Sequence, residues 1–329
     1  MGNSASNHIE REESSDSSDE LKKEELNQLN DSCKHKNIPY YFSDRLNLCS
    51  LCPIFIAYNS NNENDKDSKQ RFVIKSIPNE TEYEKFRIQE ELKVIDRLSN
   101  DPNFIQFIDH FDLPYNNENY KFLVSYYYED SDLHEFITKK DQITEKDICY
   151  IIYQMLKILQ SLKNKKIVHN DIKLENFLMK STSPPTILLT DFEFAEIINK
   201  SSCQCRGTVP YMAPEVLYNE CHDYEADIWS LGICSFYLLF KKFPFNFERS
   251  RLYDRSRILE SIENNELERP DIPVSDDAWN CVCQMLEKEQ SDRITVEKAL
   301  RLNWFKDVQL YNNEISKSTE LVSFNDMKN

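Results

Sequence analysis

The chain has 329 residues, of which 40% are hydrophobic, and a formal net charge of −17 at pH 7. This length is sufficient for one large domain with terminal tails, and the hydrophobic fraction is sufficient to fill its core. The acidic balance argues against nucleic acid as a partner and against purely electrostatic attachment to anionic lipid. The 10 cysteines lack the spacing of a disulfide framework, which predicts reduced thiols in a cytoplasmic protein.

Residues 1–39 are predicted to form a disordered, acidic N-terminal tail. The segment Ser14–Glu20 consists of serines and acidic residues, a composition that favours a solvated chain over a packed one. Leu21, Leu26 and Leu29 nevertheless have a spacing that allows a short helix.

The first residues, Met1-Gly2-Asn3-Ser4-Ala5-Ser6, fit the pattern for N-myristoylation of Gly2. A disordered start that matches the pattern by chance is the alternative. One acyl chain gives only marginal membrane binding, and no basic cluster lies nearby to reinforce it. The protein is therefore expected in the cytoplasm, or peripherally at a membrane through weak, reversible contact of an acylated Gly2.

The folded part is predicted to begin near Tyr40. Phe72–Lys75 and Phe122–Val124 have the apolar composition of strands. Residues 59–70 are rich in Asn, Asp and Lys and predict a flexible hairpin loop. Glu82–Leu98 carries apolar residues at helical spacing, which predicts a helix.

A second apolar helix is predicted around Ile148–Leu159, and a polar stretch, Ile167–Asn176, follows it. A phosphoryl-transfer site needs a carboxylate to orient a hydroxyl, a cation near the migrating phosphoryl group, and an oxygen ligand for Mg²⁺. Asp171, Lys173 and Asn176 would fill these three roles in that order. The alternative for this stretch alone is a polar turn with three solvated side chains.

Four further motifs accompany this stretch in a fixed order. They are Phe72-Val73-Ile74-Lys75 upstream and, downstream, Asp191-Phe192-Glu193, Gly207–Glu215 and Asp227–Gly232. The ordered set resembles the signature of the eukaryotic protein kinases of the serine/threonine type. Met285-Leu286-Glu287-Lys288 and the residues that follow it are similar to the calcium/calmodulin-dependent branch of that family.

The resemblance covers residues 40–305 and implies an α+β, bilobal fold. Its small lobe (40–125) would hold an antiparallel β-sheet and one regulatory helix. A hinge (126–128) would connect it to a larger, mostly helical lobe (129–305), and residues 306–329 would form a C-terminal tail.

The resemblance also implies site residues. Asp171 and Lys173 would be catalytic, and Asn176 and Asp191 would hold Mg²⁺. Lys75 would contact the ATP phosphates and pair with Glu91, with Glu90 as the second choice. The remaining nucleotide contacts would come from Leu46, Ile54, the backbone of Tyr127, and Asp132. For Asp132, a helix N-cap is the alternative role.

Three structural contacts follow from the same resemblance. Glu215 should pair with Arg293 and tie the activation segment to the large lobe. Asp227 should brace the backbone of the catalytic loop. Thr208 should hydrogen-bond both Asp171 and Lys173.

The largest departure from the family lies in the glycine-rich loop that normally closes over the ATP phosphates. Asn47, Cys49 and Cys52 stand at its three glycine positions, and Pro53 removes a backbone N–H. A zinc site that adds Cys33 and His35 to Cys49 and Cys52 is a less favoured alternative, because no second CxxC follows. Val73 also replaces a family alanine and should crowd the adenine pocket.

Two more departures lie beside the chemistry. Asn170 replaces the arginine that pairs with a phosphorylated activation segment in the family, so activity is predicted not to depend on phosphate at Ser201, Ser202 or Thr208. Glu193 replaces a glycine at a switch position. It should favour one fixed conformation and either weaken nucleotide binding or strengthen the retention of Mg²⁺.

The sequence thus predicts an enzyme that uses ATP and Mg²⁺ to phosphorylate serine and threonine residues of proteins. Glu175 matches an acidic residue that recognises a basic residue upstream of the acceptor in basophilic members of the family, so the resemblance implies a mild preference for basic substrates. The alternative is a pseudokinase, a scaffold or allosteric partner with weak or no catalysis. The His-Asn-Asp sequence also occurs in choline-kinase-like phosphotransferases, but those lack the Ala-Pro-Glu and Asp-x-Trp-Ser-x-Gly elements found here.

Overall fold

The computed structural model of the protein describes residues 9–46, 52–59, 70–129, 131–140, 143–182, 184–245 and 254–308. These residues belong to two compact units, which are described separately. The smaller unit lies within residues 1–90 and 106–127, and the larger lies within residues 91–105 and 128–329. In the part of the chain that is described, no helix is both long and apolar enough to cross a membrane.

The smaller unit is built on a five-stranded antiparallel sheet with the strand order β1-β2-β3-β5-β4. Its strands are β1 (Tyr40–Arg45), β2 (Ile54–Asn59), β3 (Arg71–Pro78), β4 (Phe107–Tyr115) and β5 (Glu118–Tyr126). β3 alternates between buried and half-buried residues, the two-residue period that turns one face of a sheet toward a core. That core is rich in aromatic rings, and Phe42 packs edge-to-face on Phe55 and Phe122 with centroids 5.3 and 5.9 Å apart.

A helix, α1 (Ile9–His35), occupies most of the segment for which the sequence predicts disorder. Leu29 and Cys33 lie one helical turn apart and are both buried in the core of the sheet. The Asn30 side chain donates to the carbonyl of Phe42 (3.0 Å) and accepts from its N–H (2.7 Å). The prediction of a disordered tail is therefore wrong over this helix, because Leu29 and Cys33 pack into the core of the sheet. The leucine spacing predicts a helix here correctly, but the observed helix of 27 residues is much longer than the short one expected.

The helix α2 (Glu82–Leu98) has the bounds that the sequence predicts. The sequence predicts that the whole helix belongs to the small lobe. In the structure its C-terminal half does not, because residues Glu91–Ile105 group with the larger unit. Local hydrogen bonds explain this grouping. The N–H of Ile105 donates to the carbonyl of Leu189 (3.0 Å), and the N–H of Leu189 donates to the carbonyl of Asn103 (3.0 Å).

The larger unit is mostly helical. Its helices are α3 (Leu133–Lys139), α4 (Glu145–Asn164), α5 (Pro214–Leu217), α6 (Tyr224–Phe240), α7 (Arg255–Asn264), α8 (Asp276–Met285) and α9 (Val296–Ala299). Short strands form two antiparallel pairs: β6 (Ile167–Val168) with β9 (Glu196–Ile197), and β7 (Phe177–Thr182) with β8 (Pro185–Leu189). Among the described residues of this unit, 3₁₀ turns lie at Leu174–Asn176, Val209–Tyr211 and Asn303–Phe305.

Two helices position the functional loops of this unit. α4 begins with a capping box in which Thr144 and Asp147 satisfy each other's backbone N–H groups, and it leads into β6. α6 is buried along most of its length. At Gly232 a Cβ atom would lie 2.8 Å from the Leu286 side chain, so close packing against α8 requires the glycine. The predicted α+β class, with one β-sheet unit and one mostly helical unit, is confirmed.

Candidate active site

The candidate catalytic loop directly follows β6 and is held by Asp227 of α6. Oδ2 of Asp227 accepts from the His169 N–H (2.8 Å), and Oδ1 accepts from the Asn170 N–H (2.9 Å). Burial raises the pKa of the Asp227 carboxyl to about 7, although the two N–H donors lower it. The predicted bracing of the loop backbone by Asp227 is confirmed.

Asp171 lies at the centre of a cluster of polar side chains. Its Oδ2 lies 2.7 Å from Nζ of Lys173 and accepts from Nδ2 of Asn176 at 3.1 Å. Its Oδ1 accepts from the Thr208 hydroxyl at 2.6 Å, and Lys173 also donates to that hydroxyl oxygen at 3.0 Å. The predicted contacts of Thr208 are therefore confirmed. Asp171 is only 3% exposed and Asn176 only 5%, so this is not a turn of solvated side chains.

The ring of His169 supports the loop from within. Its Nδ1 accepts from the Asp171 N–H (3.3 Å), so Nε2 carries the hydrogen and points to the Thr190 carbonyl at 3.3 Å. Burial lowers the pKa of His169, which favours this neutral form. The ring also packs edge-to-face on Phe192, with centroids 5.6 Å apart.

Phe104 is a contributor that sequence reasoning missed. Its ring packs edge-to-face on Phe192 with centroids 6.0 Å apart, so Phe192 lies against both His169 and Phe104. Phe104 belongs to no motif, and its position depends on the hydrogen bonds that hold Ile105 beside Leu189. Only its apolar character could have marked it in the sequence.

The predicted Mg²⁺ ligands, Asn176 and Asp191, lie at the same end of the β7–β8 hairpin. Phe177 is paired with Leu189 in the register of that hairpin, and the Thr190 N–H donates to the Asn176 carbonyl at 2.9 Å. Because Nδ2 of Asn176 is bonded to Asp171, its amide oxygen is the atom that could bind a cation. An amide oxygen and a carboxylate fit the oxygen ligands that Mg²⁺ prefers.

The smaller unit brings three of the predicted nucleotide contacts together. Ile54 on β2 lies directly opposite Lys75 on β3, and the Leu46 N–H donates to the Ile54 carbonyl at 2.7 Å. Lys75 and Ile54 are half-buried, whereas Leu46 is exposed. Asn47 and Cys49, at two of the family's glycine positions, lie outside the described residues.

At the hinge, the N–H of Tyr127 already donates to the Arg71 carbonyl at 3.1 Å. Any hydrogen bond between the Tyr127 backbone and adenine would therefore use the Tyr127 carbonyl. The prediction that the backbone of Tyr127 contacts adenine is limited to that one group. Its ring is covered by the Arg71 guanidinium, 4.5 Å from the ring centroid.

Two predicted residues have other observable features. Asp132 caps α3, since its carboxylate accepts from the Glu135 N–H at 2.8 Å; the N-cap alternative is confirmed, and the ribose contact stays a prediction. Glu91 is buried on α2, and a carboxylate in that setting needs a compensating partner. Lys75 and Glu91 belong to different units, so their pairing also stays a prediction.

The predicted pair of Glu215 and Arg293 is confirmed. Nη1 and Nη2 of Arg293 donate to the two carboxylate oxygens of Glu215 at 2.7 and 2.9 Å, and both residues are buried. Such a bidentate pair is among the stronger hydrogen-bonded contacts in proteins. Glu215 lies within the segment that runs from Asp191 to His222, and the pair ties this segment to the rest of the helical unit.

The same segment contains a disulfide between Cys203 and Cys221. The prediction that all cysteines are reduced is therefore wrong for these two. Their separation of 18 residues gives no signal in the sequence, because the pairing depends on an antiparallel bridge between the neighbouring residues Ser202 and His222. Burial raises the pKa of the Cys33 thiol to about 12, which does not suit a zinc-bound thiolate.

Comparison with known proteins agrees with this geometry. Residues 61–305 match the family described as the protein kinase domain. The chain is 30% identical to the serine/threonine-protein kinase ppk6 of Schizosaccharomyces pombe over 63% of this chain and 25% of that protein. It is 33% identical to the serine/threonine-protein kinase dkf-2 of Caenorhabditis briggsae over 53% of this chain and 14% of that protein. For the serine/threonine-protein kinase D3 of Mus musculus the identity is 32%, over 53% of this chain and 20% of that protein. The chain thus spans a quarter or less of the length of these curated relatives.

Proposed function

Because this chain belongs to the protein kinase domain family, we propose that it transfers the γ-phosphoryl group of ATP to serine and threonine hydroxyls of proteins. The observation that carries the proposal is the cluster around Asp171. A carboxylate, an ammonium, an amide and a hydroxyl converge there within 2.6–3.1 Å. These are the groups that a phosphoryl transfer to a hydroxyl requires.

In this proposal Asp171 orients the substrate hydroxyl and accepts its proton late in the transfer. Hydrogen bonds from Thr208 and Asn176 fix the orientation of its carboxylate. Lys173 would offset charge on the γ-phosphoryl group. Since Thr208 bonds both Asp171 and Lys173, the segment that would hold the peptide is tied directly to the groups that would act on it.

ATP and Mg²⁺ are the cofactors in this proposal. Asn176 and Asp191 would hold Mg²⁺, which neutralises phosphate charge in such reactions. Lys75, with Glu91 as its partner, would contact the ATP phosphates, and Leu46, Ile54 and the Tyr127 carbonyl would contact the base. Asp132 would contact the ribose.

The substrate class is proposed to be protein, with a mild preference for basic residues near the acceptor. Glu175 is exposed directly beside the catalytic cluster. The net charge of −17 would also favour the approach of a basic substrate.

The test is transfer of phosphate from ATP to a generic basic protein, with the modified residues identified by mass spectrometry. The wild type should label serine and threonine, and Asp171→Asn should remove the labelling. Equal labelling by both proteins would refute the proposal.

A second candidate is a nucleotide-binding scaffold without catalysis. It is favoured by the hydrogen bond from the Tyr127 N–H to the Arg71 carbonyl, which leaves that N–H unavailable to adenine. It is also favoured by Val73, which lies opposite the buried Ser125 in the β3–β5 register. Both features should weaken adenine binding. A thermal shift with ATP and Mg²⁺ reports binding independently of transfer. A shift without any transfer would support the scaffold.

We also propose that the protein is cytoplasmic, with weak membrane contact through an acylated Gly2. Gly2 lies outside the described residues, so the support is its sequence pattern. Intact-mass measurement of protein from a eukaryotic host tests the acylation of Gly2 directly, with Gly2→Ala as the control. An unmodified wild-type mass would refute the acylation and the membrane contact that depends on it.

A further inference from the structure

Asn170, the residue before Asp171, uses both ends of its side-chain amide. Its Nδ2 donates to the carbonyl of Phe194 at 3.0 Å, and its Oδ1 accepts from Nε2 of His222 at 2.9 Å. Its backbone is left-handed (φ 66°), a conformation that asparagine tolerates better than most residues. One neutral side chain thus links the residues after Asp191 to the far end of the same segment.

His222 closes that segment into a loop. It is 1% exposed, and its backbone exchanges two hydrogen bonds with Ser202, at 2.7 and 2.8 Å. The disulfide between Cys203 and Cys221 joins the residues immediately inside this bridge. The loop that these links close contains Gly207 and Thr208, and therefore the hydroxyl that contacts Asp171.

A direct approach of the two backbones adds a further link. Gly207 has φ 111°, and a Cβ atom built on it would lie 2.1 Å from the carbonyl oxygen of Asn170. Only glycine allows this proximity. Asn170 therefore meets the segment at its start (Phe194), its middle (Gly207) and its end (His222).

We propose that Asn170 and His222 are positioning residues, which hold the segment from Phe194 to His222 against Asp171 through neutral hydrogen bonds in place of a phosphate. The inference deepens the proposed function and rests on it, since it concerns the regulation of the same site. These links order the segment without an activating phosphorylation.

The charges around His222 agree with a neutral link. The carboxylates of Glu196, Glu215 and Asp223 and the carbonyl of Glu220 face it and favour its protonation, but burial outweighs them and lowers the pKa of His222. The imidazole is therefore neutral near pH 7. A neutral imidazole and an amide can be buried together without the cost of an unpaired charge.

The surroundings of Ser202 exclude a phosphate at that position in this conformation. Ser202 is 1% exposed, and its hydroxyl donates to Oε2 of Glu196 at 2.6 Å. A phosphate there would bring like charge against Glu196 and would break the bridge to His222. Phosphorylation of Ser202 should therefore inhibit, in contrast to the family's activating phosphate.

The experiment compares three substitutions in the full-length chain. His222→Phe keeps a ring but removes the donor to Asn170, whereas His222→Gln keeps a donor. His134→Phe is the matched control, because His134 is a half-buried histidine on α3 whose ring packs on Tyr237 of α6. The measurements are kcat and KM for a basic peptide on phosphatase-treated enzyme, and amide hydrogen exchange across residues 196–222.

We expect His222→Phe to raise the KM for peptide or lower kcat, with kcat/KM falling about tenfold or more, and to speed exchange at the amides of Ser202 and His222. His222→Gln should stay within about threefold of wild type, and His134→Phe should match wild type. If His222→Phe behaves as wild type in both measurements, or His222→Gln is as impaired as His222→Phe, the inference is overturned.

Failure of the proposed function can be distinguished from failure of this inference. If wild type transfers no phosphate, the exchange measurement alone decides between the two outcomes. If amide exchange is faster in His222→Phe and returns to the wild-type rate in His222→Gln, the positioning pair is still supported. Unchanged exchange overturns it.

Discussion

The hydroxyl of Thr208 donates to Oδ1 of Asp171 at 2.6 Å, while Lys173 contacts both Oδ2 of Asp171 and the same hydroxyl. Thr208 lies on a segment 37 residues away in the sequence from Asp171. The contact therefore couples the position of the proposed peptide-docking segment to the orientation of the proposed catalytic carboxylate.

Thr208→Val tests that coupling, because valine keeps the shape of threonine but cannot hydrogen-bond. Removing the hydroxyl should lower kcat/KM by about tenfold to a hundredfold, since both Asp171 and Lys173 lose a partner. Thr208→Ser retains the hydroxyl and should lie within about threefold of wild type. Steady-state kinetics with a peptide substrate provide the comparison, and equal loss in both variants would contradict the role of the hydroxyl.

Asn176→Asp distinguishes the two proposed roles of Asn176, which are to bind Mg²⁺ through its oxygen and to donate a hydrogen bond to Asp171. Aspartate keeps an oxygen for Mg²⁺ but loses the donor to Asp171 and places two carboxylates side by side. We expect Mg²⁺-dependent nucleotide binding to persist while phosphate transfer falls about a hundredfold or more. Asn176→Ala should weaken both. Calorimetric titration of nucleotide at several Mg²⁺ concentrations, alongside the transfer rate, makes the distinction; retained transfer in Asn176→Asp would be inconsistent with this geometry.

The buried pair of Glu215 and Arg293 should be costly to break, because removal of one partner leaves the other charge buried and unpaired. Arg293→Met leaves the Glu215 carboxylate buried without its partner and should cost about 3–5 kcal/mol. The exposed pair Arg257 and Glu260, at 2.8 Å, serves as the control, and Arg257→Met should change stability by less than about 1 kcal/mol. Urea unfolding measures both. Equal effects would show that burial of the Glu215 pair carries no special weight.

His222 should impose a pH dependence on folding stability. Its pKa in the folded protein is lowered by burial, so below about pH 6.5, its value in an unfolded chain, the unfolded state binds more protons. Stability is therefore lost as the pH falls through that region. Relative to His222→Gln, wild type should lose about 1 kcal/mol between about pH 7.5 and about pH 5.5. His169 is present in both proteins, so its own shift cancels. If the difference in the free energy of unfolding between wild type and His222→Gln stays constant over this pH range, the idea that the buried imidazole of His222 is neutral is contradicted.

Much of the site could be predicted from the sequence because its contacts are made by residue types whose chemistry allows few alternatives. Asp171, Lys173 and Asn176 lie within six residues, and their spacing and composition identify the loop. Thr208, Asp227 and the Glu215–Arg293 pair were predicted from ordered motifs of the same family, and each makes the contact expected of it.

The remaining features depend on long-range packing that has no local signature. Asn30 bonds the backbone of Phe42; the leucine spacing of this acidic segment suggests a helix, but it does not show that the helix packs on the sheet. Cys203 and Cys221 pair because Ser202 and His222 form a bridge. The role of Asn170 likewise depends on His222, 52 residues away, so the sequence showed the loss of an arginine but not its replacement.

The central claim is that Asp171 acts in phosphoryl transfer, and a single-turnover measurement of labelled phosphate moving from ATP to a basic peptide tests it most directly. Wild type and the exposed control Asp96→Asn should transfer at the same rate, and Asp171→Asn should be slower by about a thousandfold or more. If Asp171→Asn transfers phosphate as fast as wild type, or if neither transfers any, the account of this site as an active kinase centre is contradicted.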